Sequence, residues 1–145
     1  MNKNQNGEAF VIQAFTDGCA LPPWVKTGPG DDAAILEDGQ VLTTDMMVQG
    51  VHFDESISPE ALAWKLLAIN TSDVAACGAQ PTWAMLSIAL PEPLDKTWIK
   101  RFSQAFQRRL LALNIALIGG DTTRISGPLI LNLCVAGKLD GPPLL

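Results

Sequence analysis

The sequence predicts an α+β fold in which a mixed β-sheet carries helices on one face. Strand and helix signals follow one another in the order β, β, α, β, α, β, β, and no internal repeat or linker divides them. The length of 145 residues fits one domain, with residues 1–27 as an N-terminal helix and loop and residues 28–138 as the core. Because 48% of the residues are hydrophobic and only 17% are charged, disorder is excluded as the main state.

The first strands are predicted to form a hairpin. Segment 21–30 is rich in Pro and Gly and is a loop. Two short apolar runs, Ala33–Leu36 and Val41–Thr44, flank the turn residues 37–40, which is typical of a hairpin. Asp45 closes the second strand.

A buried helix and a central strand follow. Ser58 is a preferred N-cap and Pro59 suits the first helical position, so a helix is predicted from there to Gly78. Its body is apolar all round, which indicates a buried or interfacial helix. After a break, the apolar run Thr82–Leu90 predicts a central strand that ends at Pro91.

The second half of the chain predicts one more helix and two more strands. The helix is expected over Asp95–Leu113, because large side chains recur there at helical spacing and form a stripe that favours ordinary core packing: Trp98, Phe102, Ala105, Phe106, Arg109, Leu110 and Leu113. Strands are predicted over Asn114–Ile118 and Pro128–Gly137.

Composition excludes several functional classes. Ten Lys and Arg residues oppose fifteen Asp and Glu residues, which gives a net charge of −5 and argues against nucleic-acid binding. The three cysteines are far apart in the sequence, so a disulfide framework or a zinc site is not expected. Residues 1–8 are polar, and no apolar stretch is long enough for a membrane span, so we expect a cytoplasmic protein.

The aspartates are the most informative residues. Five of them stand at the ends of predicted elements, beside Gly, Thr or Asn and away from Lys and Arg: Asp31, Asp32, Asp45, Asp73 and Asp121. If the fold brings these carboxylates together, their repulsion calls for a hard divalent cation. Mg²⁺ fits, because it binds a few carboxylates, keeps water ligands and accepts phosphate oxygens.

Each acidic segment also allows a structural interpretation. Segment 28–34 is either a tight turn with solvated acids or a loop open to a ligand, and segment 43–45 is either a capped turn or a set of oxygen donors. Asp73 shares a helix face with Asn70 and requires either a salt bridge from elsewhere or a metal or metal-bound water. His52, the only histidine, is either structural or catalytic.

The segment Gly119–Arg124 allows a hairpin turn or a phosphate-binding segment. Its paired glycines permit close approach of backbone N–H groups to an anion, Asp121 can hold a cation, and the hydroxyls and Arg124 can meet phosphate. The segment matches neither the P-loop nor the Rossmann pattern.

In this order and spacing, five blocks closely resemble the motifs of thiamine-monophosphate kinases: Gly30–Ala34, Thr43–Asp45, Gly50–Phe53, Asn70–Pro81 and Ile118–Arg124. These kinases belong to the superfamily of aminoimidazole ribonucleotide synthetase and selenophosphate synthetase. The resemblance implies an ATP-binding N-terminal α+β domain that pairs into a homodimer around a shared β-barrel. It also implies Mg²⁺-dependent phosphorylation of thiamine monophosphate by ATP, for which our hypothesis is direct in-line transfer.

The resemblance also implies roles for single residues. Magnesium-binding positions match Asp32, Thr43, Thr44, Asp45, Asp73 and Asp121. Gly120 and Asp121 match the nucleotide-contacting segment, and His52 matches a substrate-contacting histidine; no acid or base is assigned. The family continues into a C-terminal domain that is not found in these 145 residues. The alternatives are another ATP-using enzyme of the superfamily and a cation-binding dimerisation domain without activity.

Overall fold

The computed structural model describes residues 3–141, which form three helices and six strands; residues 1–2 and 142–145, at the ends of the predicted domain 1–145, lie outside this range. No helix in the described range has the length and apolar character needed to cross a membrane. In chain order the elements are α1 (Lys3–Thr16), β1 (Val25–Thr27), β2 (Ala34–Leu36), β3 (Gln40–Val48), α2 (Pro59–Ala76), β4 (Ala79–Pro91), α3 (Lys96–Ala112), β5 (Ala116–Ile125) and β6 (Ile130–Leu139).

The six strands form one mixed sheet in the order β1-β2-β3-β6-β4-β5. Only the β4–β5 pair is parallel, and the other four pairs are antiparallel. Helix α2 packs on β3, β6 and β4, and α3 packs beside α2 and against β5. The predicted α+β class with a mixed sheet is therefore confirmed. Helices α2 and α3 cover one face of the sheet, whereas the residues of α1 from Gly7 to Phe15 are exposed.

Helix α2 begins as predicted and ends two residues early. The Ser58 hydroxyl accepts a hydrogen bond from the Ala61 N–H, and Pro59 occupies the first turn. The helix stops at Ala76, because Gly78 adopts a left-handed φ of 77° that an α-helix cannot contain. Its buried leucines pack against fully buried residues of β6 and so join the helix layer to the centre of the sheet.

Helix α3 confirms the predicted core stripe. Phe102, Phe106 and Leu110 are buried, and the rings of Trp98, Phe102 and Phe106 stack in sequence along the helix. Arg109 belongs to the same stripe but contacts another helix, since its guanidinium lies 3.4 Å from the centre of the Trp64 ring on α2.

Strand β5 is longer than predicted, and the hairpin-turn interpretation of 119–124 is wrong. The strand predicted over 114–118 starts at Ala116, after Asn114 turns the chain with a φ of 56°. It then continues through the glycines to Ile125, because these residues pair in register with β4. The loop predicted over 21–30 contains the short strand β1, and β3 extends past Asp45 because β6 pairs with it up to Val48.

Candidate active site

Side chains from β3 and α2 meet where the two elements cross. In β3, residues 41, 43, 45 and 47 alternate towards the helices, and both Val41 and Met47 are buried there. Thr43 is only 7% exposed. Its hydroxyl lies 3.3 Å from Asp73 Oδ2 and 3.2 Å from the Asp32 carbonyl oxygen. The structure therefore brings Asp32, Thr43 and Asp73 together.

The carboxyl group of Asp73 lies in an acidic environment. Burial raises the pKa of Asp73, and the nearby carboxylates of Asp45 and Asp32 raise it further, whereas the Thr43 hydroxyl opposes these effects. Asp45 thus belongs to the same cluster of four residues, Asp32, Thr43, Asp45 and Asp73, which we call the acidic cluster.

No cation of the described chain neutralises the acidic cluster. The two ion pairs among the described side chains, Glu60–Arg101 and Glu92–Arg124, involve none of its members. The salt-bridge interpretation of Asp73 is therefore wrong for the described side chains, those of residues 7–141. Within the same residues, no three His, Cys, Asp or Glu side chains are already arranged as a metal site. The cluster supplies oxygen donors and uncompensated negative charge without a closed coordination shell.

Asn70 connects the helix to the strand at this point, a role that the sequence did not reveal. Its side chain is 0% exposed. The Oδ1 atom accepts a hydrogen bond of 3.1 Å from the Asp45 N–H, and Nδ2 donates one of 3.0 Å to the Leu66 carbonyl oxygen. Since β2 pairs with β3 only at Val41 and Leu42, Asn70 provides a partner for the strand where β2 no longer reaches it.

Thr44 and Asp121 lie on the other face of the sheet. The Thr44 hydroxyl is 3.1 Å from Asn132 Oδ1. In the register, Asn132 stands opposite Ser87, and Ser87 stands beside Asp121. Because residues in register share a face, a polar row crosses the sheet surface opposite the helices. Strands β3 and β5 are three strand spacings apart, roughly 14 Å, so one chain does not place Asp121 beside Thr44.

Asn132 and Ser87 are further polar residues of this row that the sequence analysis missed. Each sits in a strand of mostly apolar residues, at a position facing away from the helices. The alternation of Leu131 and Leu133 with polar or small residues in β6 was the signal that could have identified Asn132.

Gly120 is required by the close approach of β5 to β4. Its φ is 150°, and a Cβ atom at this position would lie 1.8 Å from the Leu86 carbonyl oxygen. Residues Ala116–Arg124 are exposed, so β5 offers one unpaired edge and the side chain of Asp121 to the surroundings.

His52 is exposed and caps the end of β3. Its Nδ1 accepts a hydrogen bond of 2.9 Å from the Val48 N–H, and its carbonyl oxygen accepts one of 2.6 Å from Lys65 Nζ. The first contact holds the imidazole against the end of β3, and the second holds the backbone of His52, so the residue has the structural role that the sequence allowed. With Nδ1 as an acceptor, Nε2 carries the proton of the neutral ring and can donate outward. The predicted contact with substrate stays a prediction.

Comparison with known proteins identifies the family of the domain. Residues 30–139 match the family model described as "AIR synthase related protein, N-terminal domain". The chain is 43% identical over 118 residues to the thiamine-monophosphate kinase of Buchnera aphidicola subsp. Schizaphis graminum, which covers 79% of this chain and 36% of that protein. The corresponding kinase of Haemophilus influenzae is 45% identical over 123 residues, covering 81% of this chain and 37% of its own.

A solved structure shares the fold. The structure described as "AaThiL complexed with AMPPCP and TMP" aligns with a TM-score of 0.78 and 29% identity, covering 95% of this chain and 44% of that one. The chain thus spans little more than a third of the length of the curated relatives it matches. Because the family model covers most of the sequence and all the strands of the sheet from β2 onward, the chain belongs to the AIR synthase related proteins, as a member of their N-terminal domain family.

Proposed function

We propose that this chain supplies the ATP- and magnesium-binding domain, with residues 28–138 as its core, of a cytoplasmic enzyme that phosphorylates thiamine monophosphate to thiamine diphosphate. The observation that carries the proposal is the acidic cluster, in which the carboxylates of Asp45 and Asp32 lie close enough to Asp73 to raise its pKa, with no cationic partner among the described side chains. The similarity to thiamine-monophosphate kinases, and to a structure holding AMPPCP and TMP, supports this choice of substrates.

The donor set fits Mg²⁺. Carboxylate and hydroxyl oxygens are the ligands that this cation takes in proteins. Burial first, and then the like charges of Asp45 and Asp32, raise the pKa of Asp73, and a divalent cation would relieve the repulsion between these charges. We propose that Asp32, Thr43, Asp45 and Asp73 hold magnesium on the helix side of β3. Thr44 and Asp121 lie on the opposite face, roughly 14 Å apart, so each is proposed to contribute to a separate magnesium site there. When bound, Mg²⁺ would neutralise charge on the phosphate groups of ATP.

The residues of this domain would act by binding and positioning. An acceptor phosphate is anionic near neutral pH and needs no strong general base, so in-line transfer to it depends on alignment and charge compensation. Gly120 and Asp121, on the exposed strand β5, are proposed to contact the nucleotide. His52, held through Nδ1, is proposed to orient the acceptor phosphate by donating from Nε2.

Nucleotide titration tests this proposal. We expect this chain to bind an ATP analogue such as AMPPCP in the presence of Mg²⁺ and to lose that binding in EDTA, because carboxylates and phosphates repel each other without the cation. Isothermal titration calorimetry measures both. Binding that is equal with and without Mg²⁺, or no binding, would contradict the proposal. In the complete enzyme, faster turnover of a different phosphate acceptor would favour another ATP-using enzyme of the same superfamily.

We also propose a homodimer formed through the open face and edge of the sheet. Met46 and Met85 are 55% and 38% exposed, and both lie on the face that α2 and α3 do not cover. The unpaired edge of β5 borders the same face. An uncovered sheet face that exposes large apolar side chains beside a polar row is the type of surface that oligomers bury. A dimer formed through this face would also bring Asp121 of one copy close to the other copy.

Charged residues on this face test the dimer. Met46→Asp and Met85→Asp are expected to convert a dimer into a monomer in light scattering, since a buried carboxylate in the interface costs several kcal/mol. Gln107→Asp is the matched control, because it adds the same charge to an exposed position of α3 on the other side of the molecule. A wild-type monomer, or Met variants that remain dimeric, would overturn this interface.

A further inference from the structure

Asn70 links the helix layer to the sheet near the acidic cluster. Among the described residues, it is the only fully buried polar side chain with hydrogen bonds that do so. It lies one helical turn before Asp73 on α2, so the two residues share a face. Asn70 contacts the backbone of Asp45, and Asp73 contacts the hydroxyl of Thr43. Two points of α2 are therefore linked to two points of β3 that are two residues apart.

We infer that Asn70 is a positioning residue for the proposed cation site: its buried amide fixes the backbone of Asp45 and thereby the separation of the Asp45 and Asp73 carboxylates. This inference rests on the proposed function. Asn70 itself is too deeply buried to reach a bound nucleotide, so it acts through Asp45. The fixed backbone matters because the carboxylates repel each other, and without the link β3 can shift away from α2 to lower that repulsion.

The geometry separates this role from ordinary helix stabilisation. Thr71, the next residue, also bonds within the helix, since its hydroxyl lies 2.8 Å from the Leu67 carbonyl oxygen, but it makes no hydrogen bond to β3. Asn70 likewise donates from Nδ2 to a carbonyl oxygen of its own helix, but its Oδ1 accepts a hydrogen bond from the strand. A side chain whose only role was to form a hydrogen bond within the helix would not direct an acceptor oxygen at the Asp45 N–H.

The first measurement is amide hydrogen exchange of this chain by NMR, which needs no ligand. Asn70→Leu removes the acceptor at similar volume and is expected to speed exchange at the Asp45 N–H by at least tenfold relative to its neighbours in β3. Thr71→Val is expected to leave exchange at the Asp45 N–H unchanged. Unchanged protection of Asp45 in Asn70→Leu would overturn the inference.

The second measurement is Mn²⁺ affinity by electron paramagnetic resonance, with Mg²⁺ as competitor. Residues that orient metal ligands typically contribute about 10- to 100-fold to affinity, so Asn70→Leu is expected to weaken binding about tenfold or more, whereas Thr71→Val keeps the wild-type affinity. Leu62→Val controls for loss of stability alone, because Leu62 is buried in α2 and has no link to Asp45.

The outcomes distinguish this inference from the proposed function. Wild-type affinity in Asn70→Leu overturns the positioning role and leaves the kinase proposal standing. Weakening in Leu62→Val equal to that in Asn70→Leu also overturns it, because the effect is then one of stability. If the wild-type chain binds no divalent cation, the proposed function and the inference both fail.

Discussion

Replacing Gly120 with Ala is expected to separate β5 from β4 and to destabilise the domain. The new methyl group would lie 1.8 Å from the Leu86 carbonyl oxygen and 2.6 Å from its carbonyl carbon. Neither atom can move easily, because Leu86 also pairs with Leu133 of β6 on its other side. Overpacking and the strained φ together predict a loss of at least about 2 kcal/mol in the free energy of unfolding, or roughly 5–10 °C in Tm.

Gly119→Ala is the matched control for this change. A Cβ atom at Gly119 meets only the flexible side chain of Met85, at 3.7 Å from its sulfur, which is an ordinary contact. We therefore expect Gly119→Ala to unfold close to the wild-type temperature in a thermal denaturation experiment. If Gly120→Ala is as stable as Gly119→Ala, the close approach of β5 to β4 is not as described. Loss of Mg²⁺-dependent AMPPCP binding in Gly120→Ala alone would agree with a nucleotide contact at β5.

Replacing Asp73 with Asn is expected to have opposite effects on activity and on stability. In the complete enzyme we expect turnover of thiamine monophosphate to fall by about 100-fold or more, because a group that compensates charge in the transition state is lost. In EDTA at neutral pH, the same variant is expected to be more stable than the wild type. The carboxylate is ionised there at the cost of burial and of repulsion from Asp45 and Asp32.

The pH dependence of stability follows from the direction in which folding shifts the pKa of Asp73. The folded pKa of Asp73 is raised above the ordinary value of 3.8. The stability that the protonated carboxyl contributes is therefore complete below that value and is lost as the pH rises through the folded pKa. Thermal unfolding in EDTA should show the Asn variant gaining over the wild type as the pH rises through this range, with no further change above it.

Asp38→Asn controls for the removal of one negative charge. Asp38 is exposed at the turn before β3, where hydrogen bonds from Gln40 lower its pKa, so its ionised form favours the fold. We expect this variant to keep turnover and to be slightly less stable above pH 4, the opposite of the Asp73 variant.

Unchanged turnover in Asp73→Asn would refute the metal assignment. A lower stability of Asp73→Asn than of the wild type in EDTA would refute the repulsion between carboxylates.

Local patterns identified the oxygen donors of the candidate site that lie on one strand and one helix, whereas their convergence depends on how the two elements pack. The alternation of β3 puts Thr43 and Asp45 on one face, and the helical spacing of α2 directs Asp73 towards them. The position of Asp121 could not be predicted, because it depends on which strands separate β5 from β3. The sheet places both β6 and β4 between them, and no local pattern encodes that order.

The errors in the fold have physical causes of the same kind. Gly119 and Gly120 have the composition of a turn, yet Gly120 is a glycine because another backbone passes close to it, which depends on tertiary contact. Strand β1 has only three residues, too few for its alternation to indicate a strand, so only its pairing with β2 defines it. Asn70 was recognised as sharing a face with Asp73, but its bond to the Asp45 backbone required the distance between helix and strand.

The position of β6 has a consequence for how the domain forms during translation. This strand comes last in the described chain, yet it lies between β3 and β4 and contributes the fully buried residues Leu131, Leu133 and Val135. At roughly 5–20 residues per second, a ribosome takes several seconds to proceed from β3 to β6. During that interval β3 and β4 lack the neighbour that joins them. The nascent chain therefore leaves the facing edges of β3 and β4 unpaired until synthesis reaches Leu139, and unpaired strand edges are sites where chains aggregate.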